Sequence, residues 1–427
     1  MHLANILKNK VTINAGWLIA GRIYHMLLTF FIGLLTARYL GPANYGLINY
    51  AAAYTTFFAS FCTLGINSVI VKNFVDNPDD EGETIGSAIV LRTVSSLLSV
   101  IMMICITLLV DKGEATTNIV VALCSIGVLF QVMDTLNYWF QAKLESKYAA
   151  LATVISYTVV SIYKIWLLFT GKSVEWFAVS TSLDSFVVAI VLLVMYYKHS
   201  GPKFSFSVKK SKELFFSSYH FILAGLMVAI YGSTDRFMLK QMLNESEVAY
   251  YSTAVALCNT WVFVLAAIID SMYPVILQHF GKNKEKFEQK NKQLYAIVFY
   301  MSVLASSLIS VLATFIVKVL YGDAYISAAD PLRIITWYTA FSYLGVARNA
   351  WMVCYNCQFY LKYLYVGAAL TNVVLNVLLI PIWGASGAAL ASLITQISTI
   401  LVFPAMIKEL RPNVKLMIEA ICFKGVK

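Results

Sequence analysis

The chain has 427 residues, 59% of them hydrophobic and 13% charged, with a formal net charge of +10 and a mean hydropathy of +0.73. This balance excludes a water-soluble globular domain and places the chain in a bilayer. The basic excess invites nucleic acid as a partner, but its distribution along the chain assigns it to membrane topology, and no nucleic-acid partner is expected.

A spanning helix needs about 20 mainly apolar residues. Runs of that kind predict twelve spans, near 13–36, 44–70, 85–110, 117–140, 148–170, 174–197, 214–238, 248–277, 294–320, 331–355, 359–381 and 385–407. The longest connections, 71–84, 198–213 and 278–293, are too short for a separate soluble domain. The first run carries Arg22 and His25, which interrupt the apolar stretch that a cleavable signal peptide requires, so none is expected. Lysines crowd the loop at 198–212, the loop at 282–292 and the C-terminal tail, and with twelve spans these lie on the same side as Lys8 and Lys10. The positive-inside rule then puts both termini in the cytoplasm.

Two halves of six spans correspond to each other. Residues 16–40 align with 215–239 when Arg38 is set against Arg236, and a constant offset places Arg22 opposite His220. Late in each half a hairpin begins Lys-Tyr, at 147 and 362, and turns at Gly171 or Gly384. The expected fold is an all-α polytopic membrane protein of about twelve transmembrane helices in two pseudo-symmetric six-helix bundles, 1–200 and 201–427. Parallel repeats of this kind place a substrate cavity at their interface.

Polar residues inside the spans mark that cavity. A single arginine near a bilayer centre costs roughly 2.5 to 3.5 kcal/mol, which a water-filled vestibule and a bound anion would offset. Arg22, His25, Arg92 and His220 fall in the inner to middle depth of spans one, three and seven, and Arg348 in the inner half of span ten. Private ion pairs and snorkelling are the alternatives for each. Asp134 shares a helix stripe with Gln131 and Asn137. It is open to ion coupling or to a structural pair, for example with Arg348; Asn349 occupies its equivalent position in the second half. Asp184 and Asp270 are expected to be structural. Asn372 and Asn376 share one helix face, to line a cavity or to bond across helices, the second being commoner.

Enzyme and metal signals are nearly absent. The Thr-Gly-Lys-Ser at 170–173 lacks the earlier glycine of a phosphate loop, and Cys354-x-x-Cys357 stands alone at a helix end. No catalytic residue, metal site or cofactor is expected; coupling to H+, Na+ or Cl− and uncoupled flipping stay open.

The stretch "ARYLGPANYGLINYAAAYTTFFASFCTLGI" (37–66) resembles the A-R-x-L-G-P-x-x-Y-G signature of the Wzx-type polysaccharide transporters of the multidrug/oligosaccharidyl-lipid/polysaccharide (MOP) exporter superfamily. "DTLNYWFQAKLESKYAA" (134–150) is similar to that family's W-F-Q-G-x-E segment, with Ala142 in place of glycine and Glu145 shifted by one. "STDRFMLKQMLNESEVAYYSTA" (233–254) and "NVLLIPIWGASGAALASLIT" (376–395) look like its second-half counterparts. The resemblance implies a flippase of the bacterial inner membrane. It would move an undecaprenyl-pyrophosphate-linked oligosaccharide from the cytoplasmic to the periplasmic leaflet by alternating access, for O-antigen or capsule-like polysaccharide, alongside a polymerase and a chain-length regulator. Arg22, His25, Arg92, His220, Arg348, Asn349, Asn372 and Asn376 would meet the headgroup, with Asp134 for ion coupling and Gly41-Pro42 near the outer gate. A small-molecule exporter of the same superfamily, a membrane-embedded polymerase or ligase, and an assembly scaffold are the rivals. The basic excess counts against a cation exporter, and the short outer loops against the enzyme.

Overall fold

A computed structural model describes residues 10–425, and every regular element among them is helical. The first helix, α1 (Lys10–Thr63), is two passes joined at Gly41, whose backbone turns to φ 70°, ψ 173°. Glycine reaches positive φ without a Cβ clash, and Pro42 then opens the next helix where its missing N–H leaves no bond unmade. This is the physical content of the Leu-Gly-Pro motif. The second pass ends at Thr63, earlier than the sequence predicts, because Leu64 and Gly65 turn left-handed before α2 (Ile66–Asp76).

Six further passes follow the same logic of apolar runs ended by turns. The third is α3 (Glu81–Val110). The fourth is interrupted: α4 (Ala115–Phe130), a 3₁₀ turn at Gln131–Met133, and α5 (Asp134–Ala142). Then come α6 (Lys147–Thr170), α7 (Val174–Lys198) and α8 (Val208–Met242). The eighth pass is α9 (Glu245–Cys258) and α10 (Phe263–His279), bent by 45°.

The ninth pass is α11 (Lys284–Tyr321), and the tenth is split into α12 (Ala329–Ile335), α13 (Tyr338–Ala347) and α14 (Asn349–Cys354). The last two share α15 (Leu361–Ile397), broken at Gly384, and continue through a π turn at Ser398–Val402 into α16 (Phe403–Met406). An amphipathic helix, α17 (Arg411–Ile421), closes the described chain.

Seven helices are each long and apolar enough to cross a membrane, and the bent α9–α10 pair passes with them. Two of the seven are double passes hinged at Gly41 and Gly384. With α8 and the segmented tenth pass, twelve passes are described, and the protein is an all-α polytopic membrane protein.

Two compact units divide the chain, residues 1–229 and 230–427, with the boundary inside α8. In the first unit Ile66, Ile70, Ile85, Phe140 and Tyr196 form a buried cluster. At its edge the Glu81 carboxylate accepts the Trp139 indole N–H at 2.7 Å and pairs with Lys143 at 3.1 Å. In the second unit Leu294, Tyr295, Leu344, Trp351 and Met417 are packed together. There α17 is tied to α11 by Asn413 donating to the Tyr295 hydroxyl at 2.7 Å and by the Lys292–Glu419 pair at 2.5 Å. The bond from Lys292 holds the Glu419 carboxyl below its ordinary range.

Lipid supplies no hydrophobic drive between helices, so close packing of small residues must do more of the work. The run after Gly384 shows it: Ala385, Ala388, Ala389 and Ala391 are buried, while Ile382 and Trp383 face outward. Gly384 itself has φ 54°, ψ −131°. A Cβ there would lie 2.5 Å from Glu247 Oε2, the atom that accepts the Ala385 N–H at 2.6 Å where the helix restarts. Gly384→Val is expected to destabilise the protein by about 1–3 kcal/mol, read as a lower melting midpoint in detergent. An unchanged midpoint would show that this hinge accepts a side chain.

Candidate functional site

In the first unit Arg22 is exposed on α1 and makes no ion pair among the described residues. Its neighbour Gly21 is buried against Ala150 of α6, so the packed face of α1 is adjacent and the arginine is turned away from it. One turn later His25 is half-buried, its ring edge-on to Tyr157 of α6 at 3.6 Å between centroids. It lies within electrostatic reach of Asp184 on α7, whose Oδ1 accepts the Ser156 hydroxyl at 2.5 Å.

Arg92 is placed differently, only 3% exposed inside the unit. Its guanidinium donates to the Gln131 carbonyl at 2.9 Å and to Thr135 Oγ1 at 3.0 Å, while its Nε has no partner among the described residues. The break in the fourth pass explains the arrangement. Gln131 follows the C-terminal end of α4, where a cation is favoured, and Asp134 begins α5, where an anion is favoured. Asp134 feels both Arg92 and Asp184. Electrostatic interactions thus run from Arg92 to Asp134, on to Asp184 and from there to His25, a polar seam of charges on α3, α5, α7 and α1. The seam joins residues that the sequence picks out separately.

In the second unit Arg348 is also 3% exposed. It reaches the Thr399 carbonyl at 3.5 Å, in the π turn of the twelfth pass, and its Nε has no partner among the described residues. Asn349 is exposed. Asn372 and Asn376 are fully buried and bond across helices: both donate to Asp235 Oδ1 of α8, at 3.1 and 2.6 Å. The other carboxylate oxygen accepts Ser392 at 2.6 Å and the Tyr251 hydroxyl. Four donors from α9 and both halves of α15 thus converge on one carboxylate, while Asn376 Oδ1 and Thr395 Oγ1 are buried and find no partner among the described residues.

Asp235 is the residue that sequence reasoning misses, because its partners lie far from it in the chain. The Asn372/Asn376 stripe was the available signal, since two buried amides with a common face need a shared acceptor. His220 lies on α8, with its side chain outside the described residues.

Residues 11–280 match the family model described as polysaccharide biosynthesis protein. A proposed O-antigen transporter of Escherichia coli (strain K12) is 21% identical over 309 residues, 70% of this chain and 72% of that protein. An uncharacterised membrane protein of Methanocaldococcus jannaschii is 24% identical over 225 residues, and the match spans 49% of this chain and only 44% of that relative's length.

Among solved structures, the lipid II flippase MurJ in its inward closed conformation superposes with a TM-score of 0.72 at 15% identity, over 94% of this chain and 90% of that one. An inward-facing multidrug resistance MATE family transporter of the MOP superfamily gives 0.70 at 16% identity, over 92% and 95%. At such identities the likeness establishes the fold.

Proposed function

This chain belongs to the polysaccharide biosynthesis protein family, and from that premise we propose that it is a flippase without catalytic residues. Its cargo is an undecaprenyl-pyrophosphate-linked oligosaccharide, carried by alternating access from the cytoplasmic to the periplasmic leaflet of a bacterial inner membrane, with both termini cytoplasmic. The product would feed O-antigen or capsule-like assembly, through a polymerase and a chain-length regulator.

The observation that carries this reading is Arg22, an arginine of the first predicted span that its unit leaves exposed and without an ion pair among the described residues. A charge at that depth is expensive unless it meets water or an anion, and a pyrophosphate is such an anion. Arg22 and His25, with His220, receive the headgroup. Asn349 is exposed and contributes a hydrogen bond to the sugar. Arg92, Arg348, Asn372 and Asn376 act from within the helix packing, as residues that shape and position the site.

Ion coupling has two candidate carboxylates. Asp134 sits in the first unit's seam. Asp235 is the better enclosed, and Asn376, which donates to it, carries an oxygen without a partner among the described residues, a setting that suits a proton or a sodium ion.

Flipping of a fluorescent undecaprenyl-pyrophosphate oligosaccharide in proteoliposomes tests the reading. Arg22→Ala is expected to lower the initial rate roughly tenfold or more, the loss of a charge-assisted bond, with Arg22→Lys in between. Equal flipping by all three proteins at equal density would remove Arg22 from the headgroup site.

A further inference from the structure

The segment that joins the sixth and seventh passes, residues 199–207, is strapped to the first unit. Gly86 of α3 lies so close to the Ser205 carbonyl that no Cβ would fit between them. The Ser205 N–H donates to the Gly82 carbonyl at 3.1 Å, and the Ser207 N–H donates to Ser87 Oγ at 3.1 Å. Phe204 stacks on Tyr196 with centroids 5.1 Å apart, and the Tyr196 hydroxyl donates to the Pro202 carbonyl. These contacts hold the strap from both ends.

Held in this way, the strap forms one wall of a groove of about 530 Å³ against α3 and the first turns of α8. Val90, Val94 and Leu98 line it at successive i, i+4 positions of α3, facing Phe206 of the strap and Phe215 and Phe216 of α8. All six are exposed on the protein surface, Phe216 by 68%. The lining carries one charge, Lys212. Lys212 is exposed, as are Lys203 and Lys209 nearby, and none of the three makes an ion pair among the described residues. Their neighbour Lys210, by contrast, is tied to Glu213 at 3.6 Å.

An apolar recess in a bilayer-spanning unit faces acyl chains. Because it begins at the level of the strap, one end of it lies at a membrane interface. Exposed lysines at an interface attract anionic headgroups, each by roughly fivefold in affinity. We propose that this groove is a binding site for an anionic phospholipid, with its hydrocarbon tail along α3 and its phosphate at Lys212, flanked by Lys209 and Lys203.

Native mass spectrometry of the full chain in detergent tests the site, with phosphatidylglycerol, phosphatidylethanolamine and undecaprenyl phosphate offered in turn. Wild type is expected to retain one phosphatidylglycerol in preference to phosphatidylethanolamine. Val94→Trp, which fills the groove, loses that adduct, and Lys212→Gln weakens it roughly fivefold. Leu109→Trp, on the same helix beyond the groove, retains it. The proposal is overturned if wild type and Val94→Trp retain the lipid equally, or if the two phospholipids are held alike. It is also overturned if undecaprenyl phosphate displaces phosphatidylglycerol and is itself lost in Val94→Trp, since the groove would then hold the tail of a polyprenyl lipid.

Discussion

Asp235→Asn is expected to leave a folded protein whose flipping, under the proposed ion coupling, ignores an ion gradient, and Asp235→Ala to melt well below wild type. Asp235 takes bonds from Asn372, Asn376, Ser392 and Tyr251. Removing the acceptor strands several buried donors at about 1–3 kcal/mol each. Because neighbours in one network relax together and their energies do not add, a total of roughly 3–5 kcal/mol is the realistic loss for the alanine variant.

Asparagine preserves the shape but turns an N–H toward groups that are themselves donors, so it keeps part of the network and abolishes the negative charge. Flipping assays run with and without sodium and proton gradients separate the two roles. Gradient-stimulated flipping by Asp235→Asn at the wild-type level would leave this cluster a purely structural one.

A comparable loss is expected for Arg92→Ala. Its guanidinium holds the Gln131 carbonyl and Thr135 where α4 gives way to α5, and it is nearly sealed from solvent. Losing two charge-assisted hydrogen bonds in a buried site costs about 1.5–3 kcal/mol each. Asp134 also loses the nearby cation whose field it feels. Asp134→Asn in the Arg92→Ala background should therefore recover part of the melting midpoint, by the logic of a double-mutant cycle. Fully additive midpoints would mean that the two charges do not interact, and that the break in the fourth pass is held by backbone geometry alone.

The two arginines that sequence depth places together, Arg22 and Arg92, separate on packing. The expected topology assigns both the same inner to middle depth of odd-numbered passes, and it can tell no more. Arg22 is exposed on α1 while Arg92 is buried against α4 and α5. Helix rotation decides this, and rotation follows from which small residues let neighbours approach, as Gly21 does against Ala150.

The membrane class, the all-helical fold and the passes were legible in the chain itself, because a bilayer demands long apolar runs and internal backbone bonding. Gly41-Pro42 and Gly384 were legible as turns for a similar reason, since their residue types restrict the backbone locally. The breaks at Gln131–Met133 and within α12–α14 were not, since nothing in their composition separates them from continuous helix. Asp235 was hidden for a different reason. Its four partners come from positions 251, 372, 376 and 392, and a hydrogen-bond network assembled over such separations exists only once the helices have packed.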